Sequence, residues 1–325
     1  MHFILSNYGE KYFGYVFACI YSIQKTDKNA KVSLLWQDMA EDKINILKNF
    51  YKDLNFIQTS FNFSDDEVLR MSSKNVIFDF AMKNLHLASD EPICLLDVDM
   101  VVLRNIESYF VDDFDVGVTD DPNRPTPLNA GLFLAKYSDA TKLFFERWAN
   151  DTMKIFDDPQ KLTVSLARPY SGIEQMSLWE LINYSFLQPN VVNEIKADNQ
   201  TIKIKKFPCQ ELNHIYNGEI VENTSVIHYK GVWNDFLLKG IIPSPPNFSK
   251  YIIFGNIFTQ ALNELNTRLG TKYGQEFFNI RLHELFYKNE MVDQVLSKYG
   301  LRTIEITPQK GFLLNALLVF TPKSL

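Results

Sequence analysis

The run Leu95-Leu96-Asp97-Val98-Asp99-Met100-Val101-Val102 sets two carboxylates two residues apart at the end of an apolar stretch. In an extended chain, residues i and i+2 point to one side. Two carboxylates held that close repel unless a cation sits between them. Hard divalent cations such as Mn²⁺ or Mg²⁺ take oxygen ligands of this kind. A cation there could bridge a diphosphate and stabilise its charge as it leaves. Asp97 and Asp99 are therefore candidate metal ligands. The pair alone also fits two solvated aspartates capping a loop.

Three later segments carry compatible chemistry. In His228-Tyr229-Lys230-Gly231-Val232-Trp233 an imidazole can complete a manganese site, the Lys230 ammonium can pair with phosphate, and Gly231 lets backbone N–H groups face it. Asn129-Ala130-Gly131 offers an amide for sugar hydroxyls and a glycine that permits close approach of a ligand; taken alone it reads as a turn. Gly172-Ile173-Glu174-Gln175 reads as a helix start with an acidic residue in its first turn, or as a carboxylate and an amide aimed into a cleft.

These residues need a scaffold, and the pattern of the chain predicts one. His2 to Ser6 reads as a strand, followed by a turn at Asn7-Tyr8-Gly9, a helix from Tyr12 to Gln24 and a strand from Lys31 to Trp36. Helices follow at Glu41 to Tyr51 and Met71 to Leu87. Pro92 to Leu96 is a continuous apolar run, as expected of a strand covered on both faces. Val101 to Leu103, Val116 to Thr119, Gly131 to Ala135 and Ser225 to Tyr229 read as strands. Asp139 to Thr152 and Ile173 to Asn183 read as helices. Such alternation predicts an α/β fold with a mainly parallel central sheet flanked by helices, and ligands in such sheets bind at the carboxyl ends of the strands. A break at Pro243-Ser244-Pro245-Pro246 suggests a boundary between a catalytic domain over 1–245 and a small α+β appendage over 246–325. In the latter, Tyr251 to Leu269 and Glu290 to Tyr299 read as helices, and Leu301 to Ile306 and Leu313 to Thr321 as strands.

Composition narrows the classes. The chain has 325 residues, 46% hydrophobic and 22% charged, with a net charge of -6. A protein that neutralised many phosphates would carry a basic excess, so nucleic acid is not the expected ligand. Cys19, Cys94 and Cys209 are widely spaced and form no zinc-type pair. Free thiols, no basic segment ahead of an apolar run and no span-length apolar stretch lead us to expect a cytoplasmic protein without a transmembrane segment, peripheral membrane contact aside.

The four motifs, in this order, resemble the GT-A-fold glycosyltransferases, closest to the retaining family eight that includes glycogenin and bacterial lipopolysaccharide galactosyltransferases. That family has an apolar strand ending in D-x-D, then N-[SA]-G, then [DE]-Q, then a histidine motif with a following glycine and tryptophan. The counterparts are Leu95 to Asp99, Asn129-Ala130-Gly131, Glu174-Gln175 and His228 to Trp233. Asn7-Tyr8-Gly9 resembles the family's nucleotide-binding first loop, and Ser72-Ser73-Lys74 lies where it makes nucleotide and donor contacts. The resemblance covers residues 2–235. It implies a Rossmann-like fold and transfer of a hexose from a nucleotide-diphosphate sugar, a UDP-sugar above all, to a glycan or other hydroxyl acceptor such as a lipopolysaccharide core. It implies a metal site of Asp97, Asp99 and His228. Nucleotide-sugar contacts would come from Asn7, Tyr8, Lys74, Asp97, Gly131, Lys230 and Gly231, and positioning of the reacting groups from Asn129, Glu174 and Gln175. Competing readings are a haloacid-dehalogenase-type phosphatase with Asp97 as nucleophile, a sugar nucleotidyltransferase, and a nucleotide-sugar-binding protein without turnover. The phosphatase should carry its aspartate motif on the first strand, and the nucleotidyltransferase a Gly-rich N-terminal loop with a basic residue. About ninety residues precede Asp97, and Leu5 to Tyr12 lacks such a loop.

Overall fold

The computed structural model describes residues 1–51, 53–61, 72, 74–121, 127–166, 172–189, 191–216, 220–241, 243, 248–282, 301–304 and 317–320. Its first half alternates strand and helix: β1 (His2–Tyr8), α1 (Phe13–Thr26), β2 (Lys31–Gln37), α2 (Glu41–Phe50), β3 (Leu54–Gln58), α3 (Lys74–Asn84), β4 (Pro92–Asp97) and the short β5 (Met100–Val102). Then come β6 (Val116–Asp120), β7 (Leu128–Lys136), α4 (Asp139–Phe156), α5 (Pro159–Leu166), α6 (Ile173–Leu181), β8 (Val192–Ala197) and β9 (Gln200–Pro208). The remaining elements are α7 (Cys209–Leu212), β10 (Val226–His228), α8 (Val232–Leu238), α9 (Phe248–Leu269), and an antiparallel pair of β11 (Leu301–Ile304) with β12 (Leu317–Phe320).

One eight-stranded sheet runs β3-β2-β1-β4-β7-β6-β9-β8. Helices cover both faces, and the period-2 geometry of a strand divides the core accordingly. On β1 and β4, Ile4, Ile93 and Leu95 join a cluster with Phe78 of α3 and Trp148 of α4. Phe3, Leu5, Cys94 and Leu96 face the other way, into a cluster with Phe17 of α1 and Phe258 of α9. This double coverage is why Pro92 to Leu96 is apolar without alternation. Tyr251, Phe254 and Phe258 of α9 belong to the same cluster as α1, with the Tyr15 and Phe254 rings 5.1 Å apart. Residues 248–282 therefore complete one core with the first helix.

The sheet is more mixed than the alternation predicts. Pairings β3-β2, β2-β1, β1-β4 and β6-β9 are parallel. Pairings β4-β7, β7-β6 and β9-β8 are antiparallel. Two expected turns are strand. Asn7 and Tyr8 continue β1 and pair with Trp36 and Gln37; the chain turns only at Gly9, with φ of 69°. Asn129 to Gly131 lie inside β7, where the β6 partner jumps from Val118↔Phe133 to Thr119↔Asn129. Ala130, Gly131 and Leu132 are thereby left out of that pairing, an irregularity of the kind that re-aims side chains beside active sites. The helix expected from Met71 to Leu87 is described from Lys74 to Asn84. Ser73, residues 244–247 at the expected domain boundary, and the expected helix from Glu290 to Tyr299 lie outside the described residues.

Candidate active site

The parallel β1-β4 register pairs Ser6 with Asp97, so Asn7 and Tyr8 end β1 beside the exit of β4. The chain then bends at Val98 and Asp99 and re-enters as β5, which pairs antiparallel with β10. Two bonds fix that bend. Ser22 of α1 accepts the Val102 N–H at 3.0 Å, and the Asp99 carbonyl accepts the Tyr229 N–H at 2.8 Å. Pairing of His228 with Met100 sets the imidazole next to Asp99. His228 Nε2 lies 3.2 Å from Asp99 Oδ1 and 3.9 Å from Asp97 Oδ2. One donor atom from each of Asp97, Asp99 and His228 can be chosen so that all lie within 4.8 Å of one another.

Ligands about 2.1 Å from one Mg²⁺ sit at most about 4.2 Å apart, so small side-chain rotations bring these three onto a common centre. The charge balance favours a cation too. Asp97, Asp99 and Glu174 face Lys74 and His228, an excess of carboxylate that a divalent ion would offset. Burial would raise the Asp99 carboxyl, but His228 and Lys74 outweigh it and hold Asp99 below the ordinary carboxylate range. The residues fit a hard divalent cation.

Lys74 opens α3 and points its ammonium at Asp97, with Nζ 3.1 Å from Oδ1 and 2.9 Å from Oδ2. Burial opposes its charge, yet Asp97 and then Glu174 outweigh burial and lift its pKa above the usual lysine value. α3 is fastened to its neighbour because Asn75 donates to the Trp148 carbonyl at 3.0 Å and to Thr152 at 2.6 Å. Trp148 in turn donates its indole N–H to the Glu174 carbonyl at 2.8 Å. This chain of bonds sets the first turn of α6 against Lys74. Glu174 and Gln175 are both buried there. The Glu174 carboxyl is pushed up by burial, partly countered by Lys74, and its Oε2 is a buried acceptor with no partner among the described residues. Gly172 precedes it at φ of 153°, and a Cβ there would run into the Glu174 carboxylate. Only glycine suits that position.

Asn129 and Gly131 lie beside His228 and its hydrogen-bond partners. The Asn129 Oδ1 accepts the Gly131 N–H at 3.0 Å and the Asn213 amide at 2.8 Å. A Cβ on Gly131 would meet His228 Cε1 at 2.6 Å and the Met100 Cε at 2.7 Å. The close approach that Gly131 permits is that of the His228 ring. At the other end of the site, buried Asn7 donates to the Gly9 carbonyl at 2.8 Å and leaves Oδ1 without a partner among the described residues. Past His228, Lys230 is half-buried, and exposed Gly231, at φ of 66°, opens α8.

Interactions thus join Asp97, Asp99, His228, Lys74 and Glu174 directly, and Asn129 and Gly131 through His228 and its neighbours. Sequence reasoning missed Asn213, whose Oδ1 lies 2.9 Å from His228 Nδ1, and Thr119, whose hydroxyl oxygen accepts from Asn213 at 2.8 Å. Both are fully buried single polar residues with no motif around them. No helix among the described residues is long and apolar enough to cross a membrane.

The sequence pattern of the nucleotide-diphospho-sugar transferase family matches residues 87–208. That span holds Asp97, Asp99, Asn129, Gly131, Glu174 and Gln175 and ends before His228. Among solved structures, the glycosyltransferase GlyE of Streptococcus pneumoniae TIGR4 superposes with a TM-score of 0.52 at 13% identity, over 85% of this chain and 65% of GlyE. The chain therefore spans just under two thirds of that enzyme's length. The galactosyltransferase LgtC, crystallised with donor and acceptor sugar analogues, aligns with a TM-score of 0.44 at 12% identity, over 71% of this chain and 87% of LgtC. No curated protein matches the chain. Residues 87–208 thus resemble the nucleotide-diphospho-sugar transferases, and the architecture is the GT-A fold that GlyE also has.

Proposed function

We propose that this protein is a metal-dependent glycosyltransferase that moves a hexose from a UDP-sugar to a hydroxyl of a glycan, such as a lipopolysaccharide core, with retention of configuration. The observation that carries the reading is the convergence of Asp97, Asp99 and His228 where β4 ends, on the fold just described and with both aspartates inside the segment that matches the transferase family. Asp97, Asp99 and His228 hold Mn²⁺ or Mg²⁺, which when bound neutralises charge on the diphosphate. Asn7 and Tyr8 receive the nucleoside end of the donor. Lys230 and the Gly231 N–H stabilise the departing diphosphate. Lys74, held between Asp97 and Glu174, contacts the donor where diphosphate meets sugar.

Asn129, Glu174 and Gln175 position the sugar. The Asn129 Oδ1 is already engaged, which leaves its amide N–H₂ for a sugar hydroxyl. The unpartnered Glu174 Oε2 is suited to accept a hydroxyl hydrogen bond. Transfer with retention needs no protein nucleophile: the acceptor oxygen bonds to the anomeric carbon on the face from which the diphosphate leaves, and the hydroxyl proton passes to a departing phosphate oxygen. Three buried free thiols accord with a reducing, cytoplasmic setting. A thermal-shift screen of nucleotide sugars with and without Mn²⁺ tests the class. Stabilisation by UDP-sugars that requires Mn²⁺ supports it, and no response to any nucleotide sugar sinks it.

A further inference from the structure

We infer that Asn213 is a positioning residue for His228: its amide keeps a proton on the imidazole Nδ1, so that Nε2 is the atom free to bind a metal beside Asp97 and Asp99. The starting point is a group whose polarity is beyond question, the backbone N–H of Gly131. It donates to the Asn129 side chain at 3.0 Å, so the atom it meets is an oxygen. That same Asn129 Oδ1 lies 2.8 Å from the Asn213 side chain, which must therefore present its N–H₂. The Thr119 hydroxyl agrees, since it donates to the Asn129 carbonyl at 3.0 Å and accepts from Asn213 at 2.8 Å.

With the Asn213 nitrogen committed to Asn129 and Thr119, its oxygen faces His228 Nδ1 at 2.9 Å, and Nδ1 must carry a hydrogen to donate. Flipping the Asn213 amide would set oxygen against the Asn129 oxygen and nitrogen against His228. All four side chains are buried, Thr119 and Asn213 completely, so water is not at hand to rescue a wrong orientation.

The backbone holds both partners in place. Asn213 N–H bonds to the Cys209 carbonyl at 3.0 Å, His214 N–H to the Val226 carbonyl at 2.9 Å, and His228 N–H to the His214 carbonyl at 3.2 Å. The segment after α7 is thus stitched to β10. Histidine ligands commonly have their second nitrogen fixed in this manner, which sets both tautomer and ring direction. Here an uncharged amide does so, and Gly131, Asn129 and Thr119 orient that amide. The role at the metal rests on the proposed function; the tautomer does not.

Long-range ¹H–¹⁵N NMR of the metal-free, histidine-labelled protein tests the tautomer, with His228 assigned by its loss in His228→Gln. The expected signal is a proton on Nδ1, alone or with a second on Nε2 facing Asp99, and a ring bare at Nδ1 would overturn the inference. Manganese affinity read by electron paramagnetic resonance tests the consequence. Asn213→Leu is expected to weaken Mn²⁺ binding about 10- to 100-fold, whereas Asn213→Asp, which keeps an acceptor toward Nδ1, recovers part of the loss. Affinity of folded Asn213→Leu within twofold of the parent would contradict the positioning role. Should Asn213→Leu not fold, the tautomer in the parent protein still decides. A parent that shows the Nδ1 proton yet binds no Mn²⁺ would overturn the metal-site reading while supporting the tautomer assignment.

Discussion

Lys74 and Lys250 are both withdrawn from solvent, and their surroundings drive their charges in opposite directions. Lys74 keeps 17% of its side chain exposed and lies against both oxygens of Asp97. Its pKa rises because Asp97 and Glu174 outweigh burial. Lys250 on α9 is fully buried, donates to the His214 carbonyl at 2.8 Å and lies 5.3 Å from the centre of the Trp233 ring. Burial alone acts on it and pushes its pKa down to about 7. The first lysine belongs to a charged site with carboxylate in excess. The second belongs to the apolar packing between α8 and α9, where a neutral amine suffices. Burial of a charged side chain is therefore no mark of function by itself, whereas burial among unbalanced carboxylates is.

Substitutions can break or sharpen this contrast. The largest effect should come from the carboxylate excess: Asp99→Ala is expected to lower sugar transfer by at least about 10³-fold, about 4 kcal/mol of barrier, in a protein that still folds, as near-ultraviolet circular dichroism would report. Next, Lys74→Met strips Asp97 and Glu174 of their nearby ammonium. Loss of one partner of a fully buried pair costs about 3–5 kcal/mol, and partial exposure of Lys74 reduces that to roughly 2–4 kcal/mol, measurable by urea unfolding at neutral pH. An unchanged midpoint would mean that the pair is solvated rather than structural.

Lys250→Met should act through pH. Between about 7 and the ordinary lysine value of 10.5 the unfolded chain binds a proton that folded Lys250 does not. Stability from this lysine therefore rises with pH across that window, by up to about 1.4 kcal/mol per pH unit, and its penalty is fully present below 7. The difference in unfolding free energy between parent and Lys250→Met should change with that slope, and parallel curves for the two proteins would contradict it. The smallest effect belongs to Lys83, which pairs with Asp79 and Glu146 at 3.0 and 2.9 Å while 45% exposed. Lys83→Met should cost no more than about 1 kcal/mol in the same urea assay, and less in high salt.

The same contrast separates what the sequence makes legible from what it does not. Local patterns disclose β4, because a run without alternation means cover on both faces, and they disclose Asp97 and Asp99, because two carboxylates two residues apart at a strand end stay close even though the chain bends there. The Ile202 and Ile204 alternation with lysines in β9 is equally readable, yet it carries no site motif. Asn129-Ala130-Gly131 has turn chemistry, and tertiary context overrides it: β6 pairs with Leu128 and Asn129 on one side of the segment and β4 pairs from Leu132 on, so the residues between are carried along in β7. Asn213 and Thr119 were illegible, because their roles exist only once β6, β7 and the segment after α7 meet. Lys250 illustrates the same point, since nothing in Ser249-Lys250-Tyr251 reveals that its amine will lie between His214 and Trp233.

The central claim is that Asp97, Asp99 and His228 form a metal site for sugar transfer from a nucleotide diphosphate. Release of UDP from UDP-sugars, followed with Mn²⁺, with excess chelator and in Asp99→Ala, tests it most directly. The account predicts turnover with Mn²⁺ on at least one UDP-sugar, and its loss both on chelation and in the variant. Turnover that persists under strong chelation and in Asp99→Ala would contradict it.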